Sequence, residues 1–416
     1  MNYKSFFKDK RIAVIGLGPH GEMVADIKFL LKIGAHVSFY DMRSEARLQG
    51  YLTPLKEAGL AAFSFGQINP EELLSFDLVI LSSEISRKSL FLKKATLAGV
   101  RIEFPDVLFL KIAPPITLIG IMGEYGKSTV AQMLYGILKQ SFAELEDQGL
   151  YFIDSDLPHG ALTHLKKIKA GDVVLARITE DMMGEYSEAR VSPHVAVFTS
   201  RVKNFDILKP QTYNNFIVAP DAAIDAIKST ADFVTKAKML RTRSENSALA
   251  LQAAELFKVS PELALRVLEN FAGLKARREL VKKIGGVEFY NDSAAVTPGA
   301  TLAALRALSF NKNVILIFGG AYTGYDYFDF IKEIPNYSKA VILLPGSGTL
   351  GFRSDIERLS GVEYLRAPTL EEGVIVAHGI SKKGDCVLFS PGCEAIGIHS
   401  SRKERGEKFV KAVRGL

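Results

Sequence analysis

Short apolar runs alternate with amphipathic stretches through the first third of the chain. Ile12-Ala13-Val14-Ile15 is followed by a helical spacing of apolar residues to about Ile33, and then by His36-Val37-Ser38-Phe39-Tyr40. An unbroken apolar run of this length suits a parallel strand buried on both faces, whereas a period near 3.6 marks a helix lying on that sheet. Leu78-Val79-Ile80-Leu81 and a shorter run at Val100-Arg101-Ile102-Glu103 continue the series. The spacing is that of successive βαβ units and predicts a Rossmann-like sheet ending near Leu110.

Ala113-Pro114-Pro115 interrupts the pattern, because proline removes backbone donors and stiffens the chain. A new apolar strand over residues 116–121 opens a second domain, with further strands at Val173-Val174-Leu175 and Val195-Ala196-Val197-Phe198 and helical patterns over 247–257 and 262–271. A third series starts near Gly273, with strands at 287–290, 314–318, 340–344 and 387–389 separated by helical segments. The prediction is an α/β chain of three domains, 1–112, 113–272 and 273–416: Rossmann-like, P-loop ATPase-like and again Rossmann-like. No fixed short repeat and no low-complexity tract is present.

Composition narrows the function classes. Of 416 residues, 48% are hydrophobic and 24% charged, which excludes a disordered or fibrous chain. The net charge of +6 comes from 52 basic and 46 acidic residues without a long block of one sign, so charge gives no indication of nucleic-acid binding. A mild positive excess does suit phosphate-bearing ligands. Cys386 and Cys393 are the only cysteines, too few for a disulfide framework and without paired zinc spacing, which points to a reducing, cytoplasmic setting. The stretch from Met1 to Lys10 is polar and basic, and longer apolar runs are of strand length, so neither a signal peptide nor membrane insertion is expected. A monomer is expected.

Two glycine turns carry candidate chemistry. Gly16-Leu17-Gly18-Pro19-His20-Gly21 follows a strand, opens a helix, and has Asp41 about twenty residues on. Glycine there lets backbone N–H groups approach a pyrophosphate at a helix N-terminus, although many βα turns use glycine only for a tight reversal, and both readings stay open. Gly123-Glu124-Tyr125-Gly126-Lys127-Ser128-Thr129 is more specific, because a strand leads into it and a helix begins at its Lys-Ser-Thr. Backbone donors, an ammonium and a hydroxyl then converge on one anion site, with Lys127 on the β- and γ-phosphates of ATP and Ser128 on Mg2+.

The variant glycine spacing, with Ile121 where a first glycine commonly stands, resembles the Mur ligase family, and in particular its D-glutamate-adding members. The resemblance runs nearly end to end. Its pieces are Ile15-Gly16-Leu17-Gly18 with Asp41-Met42-Arg43, the P-loop, and Phe271-Ala272-Gly273-Leu274 leading to Arg277 and Glu279. They continue with Phe289-Tyr290-Asn291-Asp292-Ser293, Thr297-Pro298-Gly299-Ala300-Thr301, Phe318-Gly319-Gly320, Ser390-Pro391-Gly392-Cys393 and Glu404-Arg405-Gly406. The resemblance implies ATP-dependent amide-bond formation in peptidoglycan precursor synthesis, from a UDP-muramoyl-type nucleotide sugar and an amino acid, with ATP and Mg2+ as cofactors. It implies a first domain that binds the uridine diphosphate through Gly16, Leu17, Gly18, Asp41, Arg43, Ser82 and Ser83. It further implies ATP contacts from the P-loop, Arg277, Asp292 and Ser293, with Lys127 and Asp292 in catalytic roles.

Departures from the family pattern fall where the chemistry needs charge. The family's metal-binding glutamate corresponds to Ala176, with Glu180 and Asp181 readable either as substitutes or as a solvated helix start. The family's histidine-rich segment is Lys203-Asn204-Phe205-Asp206-Ile207-Leu208, which keeps only Asp206, and the stretch from Leu208 through Pro210 leaves little room for the helix with the metal-bridging lysine. Two lysines have become Ala294 and Thr323, and a serine near the amino acid has become Ala395. Such losses imply weak binding of a second Mg2+. They motivate a second hypothesis, a nucleotide-binding relative that no longer ligates and acts as partner or regulator, beside ligation of a different substrate. His20, His159, His164 and His194 lack metal-ligand spacing and read as surface or turn residues, while His399 has either an ordinary role or a place beside the amino acid. Cys393 reads as a buried structural residue.

Overall fold

The computed structural model describes residues 2–18, 21–83, 85–87, 89–143, 148–154, 160–178, 194–199, 215–218, 234–236, 245–322, 324–395, 398–399 and 401–416, with 215–218 and 234–236 described by backbone alone. The chain divides into two compact units, Met1–Gly123 with Val130–Asn270, and Glu124–Thr129 with Phe271–Leu416.

The first unit contains two parallel sheets. One comprises β1 (Arg11–Ile15), β2 (His36–Asp41), β3 (Ala62–Phe65), β4 (Leu78–Leu81) and β5 (Arg101–Glu103) in the order β3-β2-β1-β4-β5. β4 is buried along its whole length and β1 along all but its first residue, as continuous apolar runs require. Strand order reverses between β1 and β4, so the Gly16 turn at the end of β1 stands at the crevice where doubly wound sheets bind ligands.

The second sheet holds β6 (Thr117–Met122), β7 (Leu150–Ile153), β8 (Val173–Arg177), β9 (Val195–Phe198), β10 (Asn215–Val218) and β11 (Val234–Lys236), ordered β11-β10-β9-β6-β8-β7. Here the reversal lies at β6, and β6 leads into the P-loop. The helices Glu245–Glu255 and Pro261–Glu269 close this unit, close to the two helical patterns expected there.

One carboxylate ties the elements of this unit together. Asp26, on the helix Met23–Lys32, is 1% exposed, and its Oδ1 accepts a hydrogen bond from Leu162 N at 2.9 Å. Burial, reinforced by Asp106 and Glu22 nearby, pushes its pKa from 3.8 to about 8 against the hydrogen bonds from Leu162 and Thr163. Because the folded group keeps its proton well above the pH at which the unfolded chain loses it, its stabilising contribution is full in acid. That contribution is lost as pH rises from about 4 to 8. Asp26→Asn keeps the accepting oxygen without the titration, so its melting temperature should gain on the parent's steadily across that window and level off above it. A difference independent of pH, measured by thermal denaturation of both proteins, would contradict this.

The second unit carries the third sheet: β12 (Glu279–Ile284), β13 (Val287–Asn291), β14 (Val314–Phe318), β15 (Ser338–Leu343), β16 (Glu363–Arg366) and β17 (Cys386–Phe389), ordered β12-β13-β17-β14-β15-β16. Only β12 is antiparallel, pairing with β13 across Gly285-Gly286, whose φ of +57° and +85° give the two left-handed residues a tight hairpin needs. β14 is buried throughout because helices cover both its faces. Val314, Leu316 and Phe318 pack with Phe330, Ile334 and Phe352 on one side, and Ile315 and Ile317 with Val374, Ala377 and Phe409 on the other. Cys386 and Cys393 are both buried and unbonded to one another. Among the described residues no helix is long and apolar enough to cross a membrane.

Candidate nucleotide and active site

The first turn is packed to backbone tolerance. Gly16, at φ +81°, would place a Cβ 2.3 Å from Ser82 Oγ, and Gly18 has φ +80°, so a side chain at either position is strained. Asp41 binds the turn from the end of β2, with Oδ2 accepting from Leu17 N at 3.3 Å. Arg43 clamps the same carboxylate bidentately, Nε to Oδ1 at 2.9 Å and Nη2 to Oδ2 at 2.7 Å, while its own N–H also donates to Oδ1. Asp41 therefore acts on the loop itself, and Arg43 balances its buried charge. Ser82 Oγ is buried without a hydrogen-bond partner among the described residues. Gly16, Leu17, Gly18, Asp41, Arg43 and Ser82 thus form one cluster. Ser83 instead lines a small cavity of about 40 Å³ with Glu22, Asp26, Asp106 and Asp154, an acidic group that the sequence did not single out. Asp154 is paired there with Arg177 at 2.5 Å.

At the second turn β6 ends in Met122, whose carbonyl accepts both N–H (2.8 Å) and Oγ1 (3.1 Å) of Thr199. Gly123 at φ +134° and Gly126 at φ +86° allow the backbone to wrap before the helix Lys127–Phe142 begins. Its first residue supplies the ammonium, with Lys127 Nζ donating to Glu124 O at 3.1 Å, so the side chain lies folded along its own loop. Ser128 follows and is nearly buried, and its Oγ accepts from Arg277 Nη2 at 3.0 Å. Glu124 reaches towards Gly299, where an added Cβ would stand 2.6 Å from Oε1.

Arg277 is presented by a contorted loop. Ala276 and Arg278 on either side have φ of +59° and +49°, left-handed values that cost non-glycine residues about 1–2 kcal/mol each. Three bonds hold them: Ala276 N to Glu279 Oε2 (2.8 Å), Arg278 N to Asp292 Oδ1 (3.0 Å) and Ala294 N to Ala276 O (3.0 Å). Asp292 is buried, and its other oxygen accepts from Ser390 Oγ at 2.7 Å, which in turn meets Thr301 Oγ1 at 3.0 Å. Burial lifts the Asp292 pKa to about 6, opposed by the Ser390 hydroxyl, the Arg278 N–H and the two arginine charges. Ser293 is fixed by its backbone, N to Asn291 Oδ1 at 3.1 Å and O accepting from Arg405 Nη2 at 2.8 Å, and its hydroxyl is buried without a partner among the described residues. The sequence reading named Arg277, Asp292 and Ser293. Glu279, Ser390 and Thr301 were legible only as parts of the family motifs, with no role in the site, and Arg278, between Arg277 and Glu279, carried no signal at all.

A Mg2+ ion needs oxygen donors beside the phosphates. Ala176 is fully buried in register with Gly120 and offers no oxygen beyond its backbone. Among the described residues no group of three His, Cys, Asp or Glu could hold a metal ion, and a guanidinium stands 3.0 Å from the Ser128 hydroxyl. Among the described residues, then, no carboxylate cluster stands beside the Ser128 hydroxyl. Glu180, Asp181, Asn204, Asp206, the stretch from Leu208 through Pro210, Thr323, His20 and His159 lie outside the described residues. Ala395 is buried and contributes only its carbonyl, which accepts from His399 N at 2.9 Å.

Two family models match the chain. Residues 10–103 match the Mur ligase MurD-like N-terminal domain, and residues 276–393 match the Mur ligase glutamate ligase domain. A UDP-N-acetylmuramoylalanine--D-glutamate ligase of Bdellovibrio bacteriovorus is 29% identical over 471 positions, covering 99% of both chains. That alignment is longer than this chain's 416 residues, so the relative carries sections that are missing here. A ligase of the same name from Roseiflexus is 27% identical and covers 97% of this chain and 98% of its own. In fold, the crystal structure of UDP-N-acetylmuramate-alanine ligase from Thermotoga maritima superposes with a TM-score of 0.65 at 16% identity, covering 98% of this chain and 99% of its own.

Proposed function

Because the chain belongs to the Mur ligase family, we propose that it is an ATP-dependent amide ligase of peptidoglycan precursor synthesis, working in the cytoplasm as a monomer. The relatives' names supply the substrates of this reading, UDP-N-acetylmuramoylalanine and D-glutamate. Residues 1–112 would bind the UDP substrate, 113–272 the ATP, and 273–416 would complete the site. The observation that carries the reading is the P-loop, in which Lys127 and the hydroxyl of Ser128, the latter bonded to Arg277, gather where a triphosphate would lie. At the first turn, Arg43 and the Ser82 hydroxyl, which is buried without a partner among the described residues, provide donors for uracil and diphosphate.

In the proposed reaction the muramoyl carboxylate attacks the γ-phosphorus of ATP, ADP leaves, and the amine of the amino acid attacks the resulting acyl phosphate to expel phosphate. The requirement is to offset negative charge as it gathers. Lys127 and Arg277 supply two positive charges fixed in advance, and Asp292 acts through the Arg278 N–H as a positioning residue for the Arg277 loop. The test is phosphate release from ATP by the purified protein. Release should depend on both UDP-N-acetylmuramoylalanine and D-glutamate and yield the amide by mass spectrometry. ATP binding without release across a panel of amino acids would instead identify a nucleotide-binding relative that does not ligate.

A further inference from the structure

Three loops meet at the amino ends of β13, β17 and β14, which are neighbours in the third sheet. They are the hairpin at Gly285-Gly286, the turn 309–313 before β14, and the turn 381–385 before β17. Hydrogen bonds tie them to one another: Gly384 N donates to Gly286 O at 3.0 Å, and Asn313 Nδ2 donates to Gly384 O at 2.9 Å. Asp292 and Ser390 stand at the other ends of the same strands, just after β13 and β17.

Residues 282–288, 309–313 and 381–385 hold five lysines, Lys282, Lys283, Lys312, Lys382 and Lys383, against two acids, Glu288 and Asp385. Both acids are already engaged. Glu288 accepts from Lys283 Nζ at 3.0 Å and from the Tyr290 hydroxyl at 3.1 Å, while Asp385 accepts from Lys339 Nζ and from Lys382 N at 2.6 Å. Lys312, Lys382 and Lys383 are exposed and, among the described residues, join no ion pair. Gathering like charge in this way adds self-repulsion and no packing.

Phe310, in the middle loop, is 76% exposed, whereas Leu308 just before it packs on the core. The exposure is built in. Phe310 N donates to Asn313 Oδ1 at 2.7 Å and Ser309 Oγ to Tyr337 O at 2.9 Å, which fixes the turn. Asn311 and Lys312 adopt φ of +52° and +57°, consecutive left-handed values that non-glycine residues rarely take. The turn thus keeps a strained backbone and presents a large apolar ring to water, and strain of this kind gathers at functional positions.

An exposed ring beside several ammonium groups fits a layer that is anionic at its surface and apolar just beneath. The ring enters the interface, while lysines lay their apolar stems along it and keep their charges among phosphates. Two features favour a bilayer over nucleic acid. The three loops contain no arginine to fork onto phosphates, and a single ring provides no run of platforms for successive bases. We propose that Phe310, with Lys312, Lys382 and Lys383, docks the protein on the face of an anionic phospholipid bilayer. The docking is peripheral, uses none of the nucleotide-site residues and does not rest on the ligase reading.

The experiment is vesicle cosedimentation of the full chain at low ionic strength, with vesicles of phosphatidylcholine alone and of phosphatidylcholine and phosphatidylglycerol in equal parts. Expected is saturable binding to the anionic vesicles only, lost in high salt. A lysine beside an anionic surface is worth about fivefold in affinity, so Lys382→Gln combined with Lys383→Gln should weaken binding about tenfold or more. The chain has no tryptophan, so Phe310→Trp installs a single fluorescent reporter. Its emission should shift to the blue on the anionic vesicles and stay unchanged with a single-stranded oligonucleotide. No binding to the anionic vesicles, equal binding to both kinds, or binding untouched by the lysine replacements would each overturn the proposal. An unshifted emission on vesicles that carry the protein would do the same. Tighter binding to the oligonucleotide, with the shift appearing there, would assign the patch to nucleic acid instead.

Discussion

Replacing Arg277 with Met should lower turnover by about a hundred- to a thousandfold while leaving the melting temperature close to the parent's. The magnitude is that of removing one fixed donor from a site where charge develops in the transition state. Arg277 Nη2 reaches Ser128 Oγ at 3.0 Å, so the lost group is a cation held against the P-loop hydroxyl. Stability should be spared because the loop's left-handed residues are held by Glu279, Asp292 and Ala294 rather than by the Arg277 side chain. Arg277→Lys should recover only part of the rate, since an ammonium cannot reproduce the planar fork. Steady-state phosphate release beside a thermal melt reads both quantities. A kcat within threefold of the parent, in a folded Arg277→Met protein, would remove Arg277 from the site.

Lys127→Ala should weaken ATP binding about a hundredfold, equivalent to roughly 2.7 kcal/mol, and with it any turnover at ordinary nucleotide concentration. The ammonium donates to its own loop carbonyl, Glu124 O at 3.1 Å, a part-buried hydrogen bond whose loss costs about 1 kcal/mol of stability. The effect should therefore appear in affinity much more than in folding.

The strands that the sequence made legible are those buried on both faces. β1, β4, β14 and β17 are continuous apolar runs because helices cover both sides of their sheets. β3, β7, β11, β12 and β16 escaped the pattern, and all five are edge strands. Glu363–Arg366 and Glu279–Ile284 are only partly buried and carry charges suited to a solvated edge, so they read as loop or helix surface. β10 escaped too, although it is an inner strand, because it was read only as part of the stretch following Leu208. The glycine turns were legible for a different reason. Gly16, Gly18, Gly123 and Gly126 all adopt positive φ, which few other residues tolerate.

Of the candidate site, the sequence yielded the motif residues but not the bonds that orient them. Nothing in Leu274-Lys275-Ala276-Arg277-Arg278 announces that Ala276 and Arg278 turn left-handed, or that Asp292 caps the second of them. Asp41 read as a ligand contact, yet its four bonds go to Leu17 and Arg43, a local arrangement that spacing cannot reveal.

Isothermal titration of the full chain with ATP, beside its Lys127→Ala variant, bears most directly on the central claim that the turn after β6 cradles a triphosphate. The account predicts one saturable site per chain in the parent and an affinity about a hundredfold lower in the variant. Equal binding by the two proteins, or no heat with any purine nucleotide, would contradict it.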